Sequence, residues 1–209
     1  MRTLLLFLFT SFFLFADVGK ITYIRGDVFY VRGNQIKPAV VGMKLLKKDT
    51  IKTKNDSMTK LLLSDKSAIS LGSNTNFSIQ DFLYDEKKNK AKIALQSNKG
   101  VFRIITGKIS KVSPDRFKLK TKTLTIGIRG TIFSGEILKD EERIFCEKGR
   151  IFVQGKGVTQ ELAKGYKSIA KRGQAPSKPQ PYKSSDLSNI RGQTTAWQDK
   201  SCEVNLDEL

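Results

Sequence analysis

Short runs of alternating apolar and polar residues recur along most of this chain. In the clearest run, residues 117–122, three lysines alternate with Phe, Leu and Thr and therefore share one face. A period of two residues is typical of β-strands, and turn residues such as Gly33-Asn34 separate successive runs. No stretch before residue 159 keeps a helical period. The pattern predicts an all-β fold of many short strands, as a sandwich, barrel or solenoid, with strands that include residues 21–25, 28–32, 58–63, 68–71, 77–82, 91–96, 101–105, 117–125, 131–138, 143–147 and 151–154.

The apolar positions change parity twice after residue 117. Phe117 is odd-numbered, Leu124 begins an even-numbered set, and Phe133 belongs to an odd-numbered set again. A shift of one residue turns every side chain of a strand to the opposite face. We therefore expect a turn or bulge near residues 122–123 and another near Gly130, since glycine permits backbone angles that other residues resist.

The two ends of the chain differ from this β-unit. Arg2, an apolar run at residues 4–15 and the small residue Ala16 have the layout of a secretory signal, with an uncleaved anchor as the alternative. Residues 171–185 contain three prolines and almost no apolar residues, which is typical of an extended linker. The expected division is a signal peptide at 1–16, an all-β domain at 17–170, and a linker and tail at 171–209, with a short helix around 188–197 or a disordered end.

Positive charge dominates the composition. The sequence carries 38 Lys and Arg against 20 Asp and Glu, a net charge of +18. Such a field favours anionic partners, namely acidic polysaccharide, anionic lipid or an acidic protein surface, whereas nucleic acid is not expected to meet an exported protein. Because the lysines are spread along the chain, the alternative is a solvated basic surface without a ligand. The best candidates for an anion-facing stripe are Lys118, Lys120 and Lys122.

The residues that usually carry chemistry are scarce. The sequence has no His and two cysteines, Cys146 and Cys202, so we expect no metal, no cofactor and no enzymatic activity. In an oxidising compartment the two thiols are candidates for a disulfide that joins the tail to the β-unit, with two unpaired thiols as the alternative. The carboxylate run at 140–142 is expected to be a solvated hairpin turn, because an acid/base pair needs a shared cleft.

Several segments follow one another in a recognisable order. The most specific reads Arg129-Gly130-Thr131-x-Phe133, and an Asp-x-Ile-x-Thr segment at 49–53 and an Asp-x-Ser turn at 65–67 accompany it. Together they resemble the FecR domain, the periplasmic part of bacterial iron-transport regulators, over roughly residues 19–155. That family usually has glycine at positions 48 and 66, where this chain has lysine.

The resemblance implies an all-β, partly solenoid-like fold and a role in signalling or interaction without catalysis. The bend at Arg129-Gly130-Thr131 is expected to serve backbone geometry, with a ligand-binding role for Arg129 as the alternative. Regulators of this family carry an anti-sigma segment and a membrane helix ahead of the domain. Here only the predicted signal precedes residue 17, so anti-sigma activity is not expected to carry over.

These observations predict a free periplasmic FecR-like module. Its expected partner is an envelope or membrane protein, or an anionic polysaccharide or lipid surface, and exposed strand edges would also support self-association. One alternative is a sensor or regulator subunit of an envelope signalling or transport system. A more remote one is an enzyme acting on the cell wall, although the paired carboxylates that such hydrolases use are not visible.

Overall fold

A computed structural model describes residues 17–195; the predicted signal, Trp197 and Cys202 lie outside this range. The described residues form a sheet of fifteen strands with two short helices and two 3-10 turns. The strands are β1 (Gly19–Arg25), β2 (Val28–Arg32), β3 (Gln35–Pro38), β4 (Lys44–Leu45), β5 (Thr50–Thr53), β6 (Met58–Leu63), β7 (Ala68–Leu71), β8 (Asn76–Asp85), β9 (Lys90–Ile105), β10 (Phe117–Lys120), β11 (Thr125–Ile137), β12 (Glu141–Gly155), β13 (Val158–Ala163), β14 (Tyr166–Lys171) and β15 (Gln180–Pro181). The helices are α1 (Ile109–Val112) and α2 (Ser188–Thr194), and the 3-10 turns are Pro114–Arg116 and Ser184–Leu187.

The sheet is antiparallel except where β10 runs parallel to β9. Its main path is β15-β14-β12-β11-β10-β9-β7-β6-β1-β4, and a branch leads from β9 through β8, β5 and β2 to β3. The long strands change partners along their length: β9 pairs with β8 up to Lys99 and with β11 from Gly100 onward. These changes of partner fold the sheet over one continuous apolar core. The prediction of an all-β fold is confirmed.

Aromatic side chains join the central strands of this core. Phe133 of β11 meets Phe102 of β9 and Phe117 of β10 edge to face, with ring centroids 6.1 and 6.0 Å apart. All three rings are almost fully buried. Burial of a side chain of this size stabilises the fold by roughly 2–3 kcal/mol. The Phe of the sequence motif at 129–133 is therefore a central packing residue.

The two parity changes correspond to two irregularities of the backbone. Strands β10 and β11 are joined by a tight turn in which the Thr121 N–H donates to the Leu124 carbonyl at 2.9 Å. Further along, the ladder between β11 and β12 shifts register between Arg129 and Ile132. Gly130 lies in this bulge with φ of +62°, in the left-handed region that favours glycine. Both irregularities lie where the sequence predicts them.

The proline-containing segment after β14 is extended, but it lies against the β-unit along its length. The Ser177 N–H donates to the Ile169 carbonyl at 2.9 Å, and the Tyr182 hydroxyl donates to the Cys146 carbonyl at 3.1 Å. The composition of this segment, which predicts a linker, does not indicate these contacts. They form because an extended chain exposes backbone groups that a neighbouring strand can bind.

The predicted C-terminal helix is confirmed as α2. Leu187 and Ile190 are buried against Phe145 and Val101, in a small apolar cluster separate from the main core. An ion pair between Arg191 and Glu147, 3.6 Å long, holds the helix to β12. No helix among residues 17–195 is long and apolar enough to cross a membrane.

The carboxylate run at 140–142 does form the β11–β12 hairpin, but one of its members is not solvated. Glu142 is buried and accepts hydrogen bonds from the Thr121 hydroxyl and from the Thr123 N–H. Its carboxylate therefore fastens the β10–β11 turn to the start of β12. The expectation of a fully solvated run was wrong at this residue, because the pairing that covers it joins segments about twenty residues apart.

Candidate functional site

One face of the sheet points away from the core, and we call it the outer face. Its side chains alternate with buried ones, because successive residues of a strand point to opposite sides. Cross-strand pairing aligns one row of this face over nine strands, from β3 at one edge to β13 at the other. This row is apolar at its β3 end and otherwise polar, and it comprises Ile36, Val31, Thr50, Ser78, Gln96, Lys120, Thr125, Gln154 and Thr159.

Two of the three lysines predicted as an anion-facing stripe lie on the outer face. Lys118 and Lys120 of β10 are exposed because Phe117 and Leu119 point into the core. Lys122 follows the end of β10 and lies in the turn, where its ammonium group donates to the Leu138 carbonyl at 3.2 Å. The turn therefore removes Lys122 from the stripe, which is formed by two lysines of β10.

A shallow groove of about 540 Å³ crosses the outer face beside Lys118. Gly127 of β11 pairs with Phe152 of β12, and a side chain at 127 would meet nothing closer than the Phe152 Cβ at 4.0 Å. The missing side chain leaves the groove open next to the partly buried Phe152 ring. Arg129 and Lys118 lie on its rim, and Thr125, Gln154 and Thr159 add hydroxyl and amide groups.

The bulge in β11 determines where Arg129 lies. After Gly130 the chain returns to the core through Thr131, whose N–H donates to the Thr106 hydroxyl at 3.1 Å. In return, the Thr106 N–H donates to the Thr131 carbonyl at 3.1 Å. These paired bonds hold the inner side of the bulge, while Arg129 is exposed on the outer side. The motif thus has both a geometric part, at Gly130 and Thr131, and an exposed cation at Arg129.

A second glycine, absent from the predicted motif, completes the bulge. Gly149 of β12 has φ of +75°, and a Cβ at this position would lie 1.8 Å from the Gly130 carbonyl oxygen. No side chain can occupy that space without moving one of the two strands. The close approach of Gly149 to Gly130 is therefore a condition for the bulge.

The two cations of the groove and the neighbouring Lys120 are not paired with carboxylates in the described part of the chain. Among residues 17–195, Lys118, Lys120 and Arg129 form no ion pair, whereas the neighbouring Arg150 pairs with Glu161 at 3.2 Å. The groove is lined by a single carboxylate, Asp115. Unpaired cations around an apolar ring and neutral hydrogen-bonding groups suit a ligand that carries a negative charge beside an apolar part.

Beside β8 on the outer face, a carboxylate pairs with two cations. Asp81 receives ion pairs from Lys92 at 2.7 Å and from Lys47 at 3.0 Å. Hydrogen bonds from Lys92 and then Lys47 lower the pKa of the Asp81 carboxyl to about 2. The positive charges beside β8 are therefore partly neutralised by Asp81, whereas Lys118 and Arg129 at the groove form no ion pair within residues 17–195.

The predicted disulfide involves one residue that the structure describes. Cys146 is buried, and its Sγ lies 3.4 Å from the Gly149 carbonyl oxygen. Burial, with a smaller contribution from the charge of Glu147, raises the pKa of the Cys146 thiol to about 11. Cys202 lies outside the described residues, so the pairing stays a prediction. Within residues 17–195, no three His, Cys, Asp or Glu side chains are placed to hold a metal.

The groove residues that were not predicted from the sequence lie on β12 and β13. Phe152 stands between Ile151 and Val153, both buried, so the alternation itself indicated an aromatic ring on the polar face. Gln154 and Thr159 carried no such signal. They reach the groove only because the β12–β13 hairpin pairs with β11, and that pairing is not readable from local patterns.

Comparison with known proteins gives one family and one fold. Residues 49–152 match the family model described as "FecR protein". This range runs from β5 through most of β12 and includes Lys118, Arg129 and Phe152. No curated protein matches the chain.

Two crystal structures from Parabacteroides distasonis, each described as that of a candidate anti-sigma factor, share the fold. They are 12% and 11% identical to this chain, with TM-scores of 0.56 and 0.54. Each match covers 66% of this chain and 62% of the other, so the chain spans less than two thirds of the length of these proteins. At this identity, the likeness concerns the fold alone.

Proposed function

Because this chain carries a FecR domain, we propose that it is a non-catalytic interaction and signalling module. Its binding site is the groove on the outer face, and its partner is a protein or another envelope component with exposed negative charge. One observation carries the proposal: Lys118 and Arg129 lie unpaired on the rim of a groove that also exposes the Phe152 ring. Unpaired cations beside an aromatic ring suit a ligand that carries a negative charge next to an apolar part.

The proposed location is the periplasm. The apolar run at residues 4–15, followed by Ala16, supports export by a secretory signal. In that compartment, anionic surfaces and acidic protein faces are the accessible partners for a basic groove. Amino-terminal sequencing of the protein recovered from its host would test this location, and an uncleaved amino terminus at Met1 would contradict cleavage.

A regulatory role is the second part of the proposal. The similarity in fold to proteins described as anti-sigma factors supports a sensor or regulator subunit. Such a subunit would bind a membrane receptor or transporter through the groove and report its state. Cross-linking in the native envelope followed by mass spectrometry should recover a membrane protein attached near Arg129; recovery of none would argue against this role.

The groove is tested by removing its two cations, Lys118 and Arg129, together with Lys120 on the same strand as Lys118. We expect the variant with Lys118→Gln, Lys120→Gln and Arg129→Gln to bind isolated envelope fragments about tenfold more weakly, since each exposed pair contributes a fraction of a kcal/mol. The measurement is co-sedimentation of the full-length protein over a salt series. The difference from the unmodified protein should shrink as salt screens the charges.

The matched control removes the same charge elsewhere. Lys54, Lys87 and Lys164 are exposed, lie outside the groove and form no ion pair within the described part of the chain. A variant with all three changed to Gln should bind like the unmodified protein. Equal loss in the two variants would mean that net charge alone controls retention, and the groove would then not be the binding site.

A further inference from the structure

The edge of the sheet at β3 exposes large apolar side chains. Ile36 is 61% exposed, and in the loop after β3 Val40 and Val41 are 62% and 59% exposed. On the outer face, Ile36 pairs with Val31, and Pro38 pairs with Phe29. We call Phe29, Val31, Ile36, Val40 and Val41 the apolar tip. Exposed apolar residues grouped at the end of a sheet indicate a surface that a membrane or another molecule covers.

Pairing of a further β-strand with the open edge of β3 is unfavourable. Among residues 17–195, strand β3 pairs only with β2, so its other edge is open to them. The Ala39 N–H donates to the Val28 carbonyl at 2.8 Å. Because successive N–H groups of a strand alternate in direction, position 38 faces outward, and proline has no N–H to donate. Pro38 and the charge of Lys37 therefore block the ladder that a second copy of this edge would need.

Lysines neighbour the tip along the chain and across the sheet. Lys37 lies within β3, and Lys52 of β5 pairs directly with Phe29 on the outer face. Neither forms an ion pair within residues 17–195. Lys44 follows the loop and pairs with Asp17 at 2.6 Å, with three quarters of its side chain exposed. An apolar centre with a cationic rim is the arrangement that binds anionic lipid surfaces.

The tip also lies beside the place where the amino-terminal segment joins the fold. The Val18 N–H donates to the Leu45 carbonyl at 2.9 Å, and the Gly42 N–H donates to the Ile21 carbonyl at 2.8 Å. The loop that carries Val40 and Val41 is thus bonded to the start of β1. In the sequence, the apolar run at residues 4–15 ends only just before Asp17.

We propose that the apolar tip seats the domain on an anionic membrane surface. Ile36, Val40 and Val41 enter the boundary between lipid headgroups and acyl chains, while Lys37 and Lys52 meet lipid phosphates. The groove lies six strand spacings from β3, roughly 29 Å along the sheet at about 4.8 Å per strand. A domain held by its tip therefore leaves the groove free for a partner.

The test places a fluorescent probe at the tip of the protein that begins at residue 17, the product of the proposed cleavage. Trp197→Phe removes the only Trp of the sequence, and Val41→Trp introduces one at the tip. The matched control is Leu83→Trp in the same background, at an apolar residue of β8 that is 43% exposed. Because both proteins lack residues 1–16, the apolar run at residues 4–15 contributes to neither signal.

Vesicles of phosphatidylglycerol with brominated acyl chains should quench Trp at 41 at least about threefold more than Trp at 83. Adding Lys37→Gln and Lys52→Gln should weaken partitioning of the Val41→Trp protein by about tenfold or more, whereas Lys87→Gln with Lys164→Gln should not. Equal quenching at 41 and 83 would overturn the proposal. A blue shift of the position-41 signal that grows with protein concentration without lipid would also overturn it, since a second copy would then cover the tip.

Discussion

Replacing Gly149 with Ala tests how the bulge at Gly130 is formed. At Gly149 two costs combine, because φ is +75° and a Cβ would lie 1.8 Å from the Gly130 carbonyl oxygen. A left-handed backbone costs a non-glycine residue about 1 kcal/mol. Overpacking against backbone that cannot rotate away adds about 2 kcal/mol. We therefore expect Gly149→Ala to lower the free energy of unfolding by about 3 kcal/mol.

Two other glycines separate these costs. Gly157 and Gly130 have φ of +77° and +62°, and neither has an atom within 4 Å of the position that a Cβ would occupy. Gly157→Ala and Gly130→Ala should each lower the free energy of unfolding only by the cost of a left-handed backbone at alanine, about 1 kcal/mol. Urea unfolding followed by circular dichroism measures all three variants under the same conditions.

The groove provides a second readout of the same change. If Gly149 lets the two strands approach at the bulge, Gly149→Ala should displace Arg129 and weaken binding of envelope fragments, whereas Gly157→Ala should not. The reasoning fails if Gly149→Ala and Gly157→Ala destabilise the protein equally, within about 0.5 kcal/mol. It also fails if the two variants bind envelope fragments alike.

Two further predictions concern titrating groups. In an NMR titration the Asp81 carboxyl should have a pKa of about 2, and Lys92→Gln should raise it toward the ordinary value of 3.8; no change would mean that the ion pair is absent in solution. Because this pKa is lowered in the folded state, its small stabilising effect is complete above pH 3.8 and is lost as the pH falls toward 2. In a Cys202→Ser protein, Cys146 should react with thiol reagents at pH 8 only after unfolding, because its pKa is raised to about 11 and its side chain is buried; rapid reaction of the folded protein would contradict this.

Much of the fold was predictable because the alternation of apolar and polar residues along a strand shows which side chains face the core. The alternation at 117–122 placed Phe117 and Leu119 in the core and Lys118 and Lys120 outside, and the structure has them there. Parity predicted the turn after β10 and the bulge at Gly130 for the same reason. Lys122 was misplaced because alternation says nothing about where a strand ends and its turn begins.

The candidate site was only partly predictable. Lys118 and Arg129 were both singled out, but their place on one groove follows from β10, β11 and β12 lying side by side. Phe152 was visible as an apolar residue on a polar face, yet nothing local connected it with Gly127. The burial of Glu142 likewise depends on a turn about twenty residues earlier in the chain.

By itself, the sequence determined the class of fold, the inward residues of most strands and the two irregularities of β11, because a period of two and its interruptions are properties of neighbouring residues. It also determined the strong positive charge and the amino-terminal apolar run. Only the tertiary structure decided which strands are neighbours, and with them the groove, the approach of Gly149 to Gly130 and the apolar tip at β3. These features depend on hydrogen-bond ladders between segments far apart in the chain, whose register no local pattern specifies.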